Sequence, residues 1–173
     1  METFLLSKMI KKKASIISNF GDVIIKGEVD VPHLQIAAAG DRSIHFLGMV
    51  NTRGRLYLSR GRIVNIDEPA VLRCKAFSCE PKTIKSDRLI VNGQLHVMGP
   101  AHFVVESIYI SRVGQVIIIS ENSNDHVVIE DVCTVDINGR FECRIQGDCL
   151  VDCKRSISLS EKSVCLFSLE SAT

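Results

Sequence analysis

Cysteine and histidine are the residue types in this chain whose chemistry and spacing could form a metal site. Two pairs of cysteines lie close in sequence, Cys74 with Cys79 and Cys149 with Cys153. The residues that could complete a tetrahedral zinc set around either pair are Cys133, Cys143 and His126. Neither pair has the tight spacing of a zinc knuckle, and Cys133 and Cys143 fall on the inward face of the apolar and polar alternation, beside core-type residues. We therefore expect buried thiols that behave as small hydrophobic groups, and no cofactor.

The histidines form no recognisable catalytic pattern with a nucleophile. Five are spread along the chain: His33, His45, His96, His102 and His126. Nucleophilic catalysis needs a hydroxyl or thiol beside a base that a third group orients, and no such motif surrounds any of them. An acyltransferase on a left-handed β-helix would need a strict hexapeptide repeat, which this chain lacks. We predict that the chain is not an enzyme and that His96 is solvated on the polar side of its strand.

The cysteine count and the composition indicate where the chain works. Seven cysteines is an odd number, and 173 residues can bury a core without disulfide staples, so we expect reduced thiols in the cytoplasm. The formal net charge is +1, which gives no overall basic footprint for nucleic acid. No apolar run approaches the roughly 18 residues of a membrane-spanning helix.

One stretch of the sequence, a basic strip, departs from this nearly neutral overall charge. It contains Arg53, Arg55, Arg60 and Arg62, with Tyr57 among them. Grooves for single-stranded nucleic acid combine basic residues with several aromatic side chains on which bases stack. This chain has no tryptophan and two tyrosines. We therefore interpret the strip as a solvated face and predict no nucleic-acid partner.

Alternation of apolar and polar residues with period two dominates from Ala14 to Leu169. It is clearest in Val135–Ile145, where the odd positions are apolar or glycine and the even positions are polar. Such alternation is typical of strands with one buried face and one solvated face. Since no window shows a helical stripe of normal length, we predict an all-β fold.

A weak internal repeat is superimposed on this alternation. The form apolar, polar, Gly, polar, apolar occurs around Gly27, Gly93 and Gly139, with a looser copy around Gly54. Glycine in a strand pattern fits places where the chain bends or another backbone comes close. Repeated short strands with these coil-turn glycines favour a single-domain parallel β-helix, a β-solenoid, over the alternative of a β-sandwich.

Residues 1–13 differ in composition from the rest of the chain. They combine apolar residues with a lysine cluster: Phe4, Leu5, Leu6, Lys8, Met9, Ile10, Lys11, Lys12 and Lys13. A helix of this composition would insert its apolar side chains at an anionic membrane surface, with about 1 kcal/mol from each nearby lysine. The alternative is a solvated tail. We therefore divide the chain into this segment, a β-helix domain at 14–169 and a C-terminal tail at 170–173.

Three stretches resemble the bactofilins, a family of polymer-forming bacterial cytoskeletal proteins. Ala14–Ser18 and Val23–Val29 are similar to the family's first coils, and Ser86–Leu95 is similar to a mid-domain coil. A short apolar and basic segment ahead of the core, here Met1–Lys13, is also typical of the family. The resemblance covers residues 14–120. It implies a right-handed parallel β-helix that polymerises end to end, without nucleotide, on the inner membrane surface.

The ends of such a solenoid are its expected contact sites. They expose apolar side chains and strand edges, and stacking a second copy covers both. Near the C-terminus, we expect Leu166, Phe167 and Leu169 to cover an end or form that contact. We predict a structural scaffold whose partners are other copies of itself, an anionic membrane surface and unidentified client proteins. The alternative is a monomeric or dimeric adaptor that recognises another protein through the cysteine-rich segment 133–165.

Overall fold

The alternation of apolar and polar residues builds short strands that stack into a right-handed parallel β-solenoid of about six turns. The structure, a computed structural model, describes residues 2–5, 13–39, 41–59, 61–80, 88–161 and 163–169. Within these ranges every regular element is a β-strand, and the strands of each sheet pair in parallel. The predicted all-β parallel β-helix is confirmed. The alternative of a β-sandwich, which is built from antiparallel sheets, is wrong.

Each turn of the solenoid passes through three faces, which we name A, B and C in chain order. Face A contains β2 (Ala14–Ser18), β5 (Leu34–Ala38), β8 (Arg55–Ser59), β11 (Ala76–Glu80) and β14 (Ala101–Val104). Face B contains β1 (Glu2–Leu5), β3 (Val23–Lys26), β6 (Ser43–Phe46), β9 (Ile63–Ile66), β12 (Arg88–Val91) and β15 (Ser107–Ile110). Face C contains β4 (Glu28–Val31), β7 (Met49–Thr52), β10 (Val71–Cys74), β13 (Gln94–Val97), β16 (Gln115–Ser120), β18 (Arg140–Ile145) and β20 (Val164–Leu169). Two longer strands, β17 (His126–Ile137) and β19 (Asp148–Leu159), turn the corner from face A to face B.

The interior is filled by columns of apolar side chains that stack from one turn to the next. On face A, one column consists of Ile36, Leu58, Cys79, Phe103 and Ile129, and all five are buried. Full burial of a large apolar side chain contributes about 1.5–3 kcal/mol. Because each turn buries its interior residues against the turns on either side, neighbouring turns stabilise one another.

Glycine occupies the corner between faces B and C in most turns. The alternating stretch around Gly27 is divided there into β3 and β4, and Gly27 has φ +77°, a conformation that glycine adopts most readily. Gly48 lies above it in the next turn, where an added Cβ would overlap the Gly27 carbonyl oxygen. Gly93 and Gly139 lie at the same corner of later turns, and Gly54 lies at the corner between faces C and A. These glycines therefore separate strands instead of lying inside them.

The N-terminal segment contributes a strand to face B. Glu2–Leu5 pairs in parallel with β3 and forms the outermost strand of that face. These four residues are thus extended, whereas the membrane-binding hypothesis considered a helix. The side chains of Phe4 and Leu5 lie outside the described part of the chain, as do the following residues entirely: Leu6, Lys8, Met9, Ile10, Lys11 and Lys12. Membrane binding by this segment stays a prediction.

Candidate functional site

Two inward-facing side chains of the last turn are open to solvent on face B. In β19, Ile157 stacks on Val135 and Leu159 stacks on Ile137. Val135 and Ile137 are buried, whereas Ile157 and Leu159 are 53% and 56% exposed. The apolar interior of the solenoid is therefore accessible at this level, and we define the C-terminal end by Ile157, Leu159 and strand β20.

Packing beneath the last turn is incomplete. An apolar cavity of about 30 Å³ lies between the last turn and the turns below it. Its lining side chains are Ile108, Ile129, Val135, Ile137, Phe141, Val151 and Ile157. Side chains around such a void lose dispersion contacts on one side. Ile157 therefore lacks dispersion contacts on the side that faces this cavity.

Strand β20 brings the three predicted contact residues to the C-terminal end. Leu166 pairs with Glu142 and is half-exposed on the outer side of face C. The backbones of Phe167 and Leu169 pair with β18, and the side chains of both residues lie outside the described part of the chain. Sequence reasoning missed Ile157 and Leu159. Their only signal is ordinary alternation, which does not reveal which turn is last.

Two cysteines interact near this end. Cys143 on β18 is buried and Cys149 on β19 is half-buried, and their thiols share a hydrogen bond. That hydrogen bond lowers the pKa of Cys149 to about 7, while the same bond and burial raise the pKa of Cys143. In the middle of the solenoid, burial raises the pKa of Cys74 to about 12. Cys149 therefore carries thiolate character near neutral pH, and Cys74 does not.

The other cysteines whose side chains the structure describes do not assemble into a metal site. Among the described residues, no group of three or more His, Cys, Asp and Glu side chains is arranged to hold a metal ion. Free thiols are found at Cys74, Cys133, Cys143, Cys149 and Cys153. The inward position predicted for Cys143 agrees with its burial, but the one predicted for Cys133 is wrong, because Cys133 is half-exposed and Val132 is buried instead. The cause is the corner of β17, where Asp131 has a φ of 59° and the pairing with β19 is irregular between Ile129 and Thr134.

A polar network covers face A from β8 to β17. Arg55 Nη2 donates to Ser78 Oγ at 2.8 Å, and Ser78 Oγ donates to Glu80 Oε1 at 2.7 Å. The His102 ring lies between two carboxylates, with Nδ1 3.2 Å from Glu80 and Nε2 2.8 Å from Glu130. Ser78 is buried, and its hydroxyl proton goes to a carboxylate instead of a histidine. The network thus connects neighbouring turns and lacks the nucleophile–base geometry of a catalytic triad.

Face C carries two polar side chains that are covered although they point outward. Glu142 is buried and accepts hydrogen bonds from Arg140 and Arg144. His96 Nε2 is buried without a hydrogen-bond partner, and burial together with Arg73 and Arg140 lowers the pKa of His96. His96 therefore lies on the outward side of its strand, as predicted, but it is half-buried and not fully solvated.

The predicted basic strip is divided between separate places. Arg53 lies at a corner, where its Nε is 3.8 Å from Asp30. Arg55 and Tyr57 share the outer side of β8, with the guanidinium 5.1 Å from the ring centre. Arg62 immediately precedes β9, and Arg60 lies outside the described residues. The arginines that the structure describes here do not share one face.

Comparisons with protein-family models, with curated proteins and with solved structures find no match for this chain. The resemblance to the bactofilins therefore rests on the three stretches quoted above and stays a prediction. In the ranges that the structure describes, no helix is long and apolar enough to cross a membrane.

Proposed function

We propose that the chain is a non-enzymatic structural scaffold that self-associates through the ends of its solenoid into nucleotide-independent filaments. The observation that carries this proposal is the exposed apolar interior at the C-terminal end, namely Ile157 and Leu159. Removing apolar surface from water contributes about 25 cal/mol per Å². A second copy that covers this end would therefore stabilise the contact by the same effect that stabilises each turn within the chain.

The outermost strands supply a second driving force. Among the described strands, β19 pairs only with β17 and β20 pairs only with β18. At the other end, β2 pairs only with β5 and β4 pairs only with β7. The unpaired N–H and C=O groups of an edge strand form a template for pairing with another chain. Contacts at both ends, repeated from copy to copy, make a filament instead of a closed oligomer.

The side faces support a scaffold more than an enzyme. On face A, the Ser78 hydroxyl is buried and bound to Glu80, so it lacks both access to a substrate and a base that would activate it. On face C, Glu142 is neutralised by two arginines. The face A network connects stacked turns, whereas Glu142 and its arginines belong to one strand. Among the described residues, neither group forms a convergent set of reactive side chains.

We further propose that the scaffold works in the cytoplasm, at the inner membrane surface. The support is the composition of residues 1–13, in which apolar residues and lysines combine. A chain that lacks residues 1–13 should still assemble, but it should no longer sediment with anionic vesicles. Assembly with unchanged vesicle binding would contradict the membrane role of this segment alone.

Two leucines of β19 provide a matched test of the end contact. Leu150 and Leu159 are each 56% exposed, but Leu150 lies on the outer side of face A and Leu159 belongs to the interior column of face B. We expect Leu159→Asp to disperse filaments, because it places a charge in the contact between ends. Leu150→Asp should leave filaments intact. Negative-stain electron microscopy and sedimentation measure both, and circular dichroism confirms that both variants fold.

Two results would decide against parts of this proposal. Uniform monomers of the unaltered chain at high concentration would contradict the scaffold function. They would favour the adaptor alternative, in which the same apolar end binds a different protein. Filaments that persist in the Leu159→Asp variant would exclude the C-terminal end as the contact.

A further inference from the structure

A groove on the outer side of face A is separate from the C-terminal end. It has a volume of about 300 Å³ and is lined by Lys13, His33, Leu34, Gln35, Arg55 and Tyr57. Small-molecule sites in proteins begin at about this volume. The groove crosses the first three turns, from the start of β2 to β8, near the N-terminal end of the solenoid.

Stacking of the turns brings the basic groups of this groove together. Strands β2, β5 and β8 pair in register, so Lys13, His33 and Arg55 form a column at one edge of face A. Neighbouring members of such a column are about 4.8 Å apart along the solenoid. The Arg55 backbone N–H donates to His33 Nδ1 at 3.1 Å. Because Nδ1 accepts this bond, the His33 Nε2–H remains available as a donor.

The Arg55 guanidinium is held in place before any ligand arrives. Its Nη2 donates to the buried Ser78 hydroxyl at 2.8 Å, and its carbon lies 5.1 Å from the centre of the Tyr57 ring. Glu80 approaches Arg55 to 3.9 Å but does not line the groove. A guanidinium has five N–H donors, so several remain for a ligand. Fixing a charged side chain in advance lowers the entropy cost of binding.

The described residues that line the groove combine positive charge with neutral donors, and none of them is acidic. Lys13 and Arg55 contribute two formal positive charges, although the whole chain carries only +1. Gln35 and Tyr57 add an amide and a hydroxyl. A forked guanidinium binds phosphate oxygens in pairs, and two cations match a dianion better than the single charge of a carboxylate. We propose that this groove binds a phosphate monoester, carried either by a lipid headgroup or by a soluble molecule.

Two probes separate these sources. Isothermal titration calorimetry with glycerol 3-phosphate tests a soluble phosphate monoester. Co-sedimentation with phosphatidylcholine vesicles, with and without phosphatidic acid, tests the same group on a lipid. We expect Arg55→Gln to weaken binding by at least about tenfold, because it removes a charged bidentate contact.

Arg53→Gln is the matched control. Arg53 is exposed, lies two positions before Arg55 and does not line the groove, so its replacement should leave binding unchanged. Since Arg55 also supports the Ser78 network, Lys13→Gln gives a second variant that leaves that network intact. It should weaken binding in the same direction. Thermal unfolding verifies that each variant is folded.

The possible results either distinguish the soluble from the lipid source of the phosphate or overturn the proposal. Binding of glycerol 3-phosphate that depends on Arg55 and not on Arg53 supports a site for soluble phosphate monoesters. The same dependence seen only with phosphatidic acid vesicles supports a lipid headgroup. Equal losses in both arginine variants would overturn the proposal, because attraction would then depend on total charge. Glycerol 3-phosphate binding that neither variant changes, or no Arg55-dependent binding of either probe, would overturn it as well.

Discussion

The two ends of the solenoid carry the same kind of interior side chain but expose it differently. On face B, Val23 and Ile25 of the first described turn are fully buried. Ile157 and Leu159 of the last turn continue the same alternation and are more than half exposed. At the N-terminal end, β1 lies beyond β3 and pairs with it. Among the described strands, none lies beyond β19 on this face.

This difference shows that a repeating sequence pattern does not determine whether the terminal turns of the solenoid are covered. Every interior turn is covered by two neighbours, while a terminal turn needs a separate segment to cover it. In this chain β1 covers face B at the N-terminal end. We therefore expect the C-terminal end to form the stronger contact between copies, and any contact at the N-terminal end to include or displace β1.

Interior isoleucines from the two ends give the largest expected difference. Ile25→Ala should lower the free energy of unfolding by about 2–5 kcal/mol, because it removes a fully buried side chain and leaves a cavity. Ile157→Ala should cost less than about 1.5 kcal/mol in the monomer, because half of that side chain is already in water. Urea unfolding at low protein concentration measures both. Equal losses would contradict the proposed asymmetry between the ends.

Two arginine–carboxylate pairs near opposite ends of face C sharpen the comparison with a smaller effect. Glu142 and Asp30 occupy one outward column, but Glu142 is buried and Asp30 is half-exposed. Arg144→Ala should cost about 1–3 kcal/mol, because it leaves a buried carboxylate oxygen without its partner. Arg53→Ala, which removes the partner of Asp30, should cost about 0–1 kcal/mol. Chemical denaturation of the two variants checks this order.

Thiol reactivity compares the C-terminal end with the middle of the solenoid, and the measurement needs no destabilising substitution. The alkylation rate of Cys149 should rise as the pH rises through about 7, because the Cys143 hydrogen bond lowers its pKa and only the thiolate reacts. Cys74, which is buried and has a pKa of about 12, should stay unmodified in the folded chain. Mass spectrometry after iodoacetamide pulses measures both sites. In a Cys149→Ser variant the rapid phase should disappear.

A contrary result for Cys149 is equally specific. A midpoint near the ordinary thiol value of 9.0 would show that Cys143 does not stabilise the Cys149 thiolate. Rapid modification of Cys74 would show that the middle of the solenoid opens as readily as its end. Either result would contradict the proposed difference between the C-terminal end and the middle of the solenoid.

Period two was sufficient to predict an all-β fold, because alternate residues of every strand face a shared interior. The stretch Val135–Ile145 correctly identified Cys143 as a core residue. The same reasoning was wrong for Cys133, because the corner of β17 interrupts the alternation between Ile129 and Val135. A corner depends on the path of the backbone, and the alternation of apolar and polar residues does not show where that path turns.

The network of Ser78, His102 and Glu130 could not be predicted from local sequence. Its members belong to three different turns, and they meet because β11, β14 and β17 are in register. The turns differ in length, so no fixed spacing identifies stacked residues. The groove formed by Lys13, His33 and Arg55 was hidden for the same reason.

The sequence by itself determined that the chain forms short β-strands with one apolar side, and that glycine would be needed where these strands meet. Those properties follow from local chemistry, since side-chain type and backbone freedom act within a few residues. Only the tertiary structure decided which turn is left uncovered and which outward side chains come together. Both depend on contacts between residues that are distant along the chain, and stacking brings those residues within a few ångströms of one another.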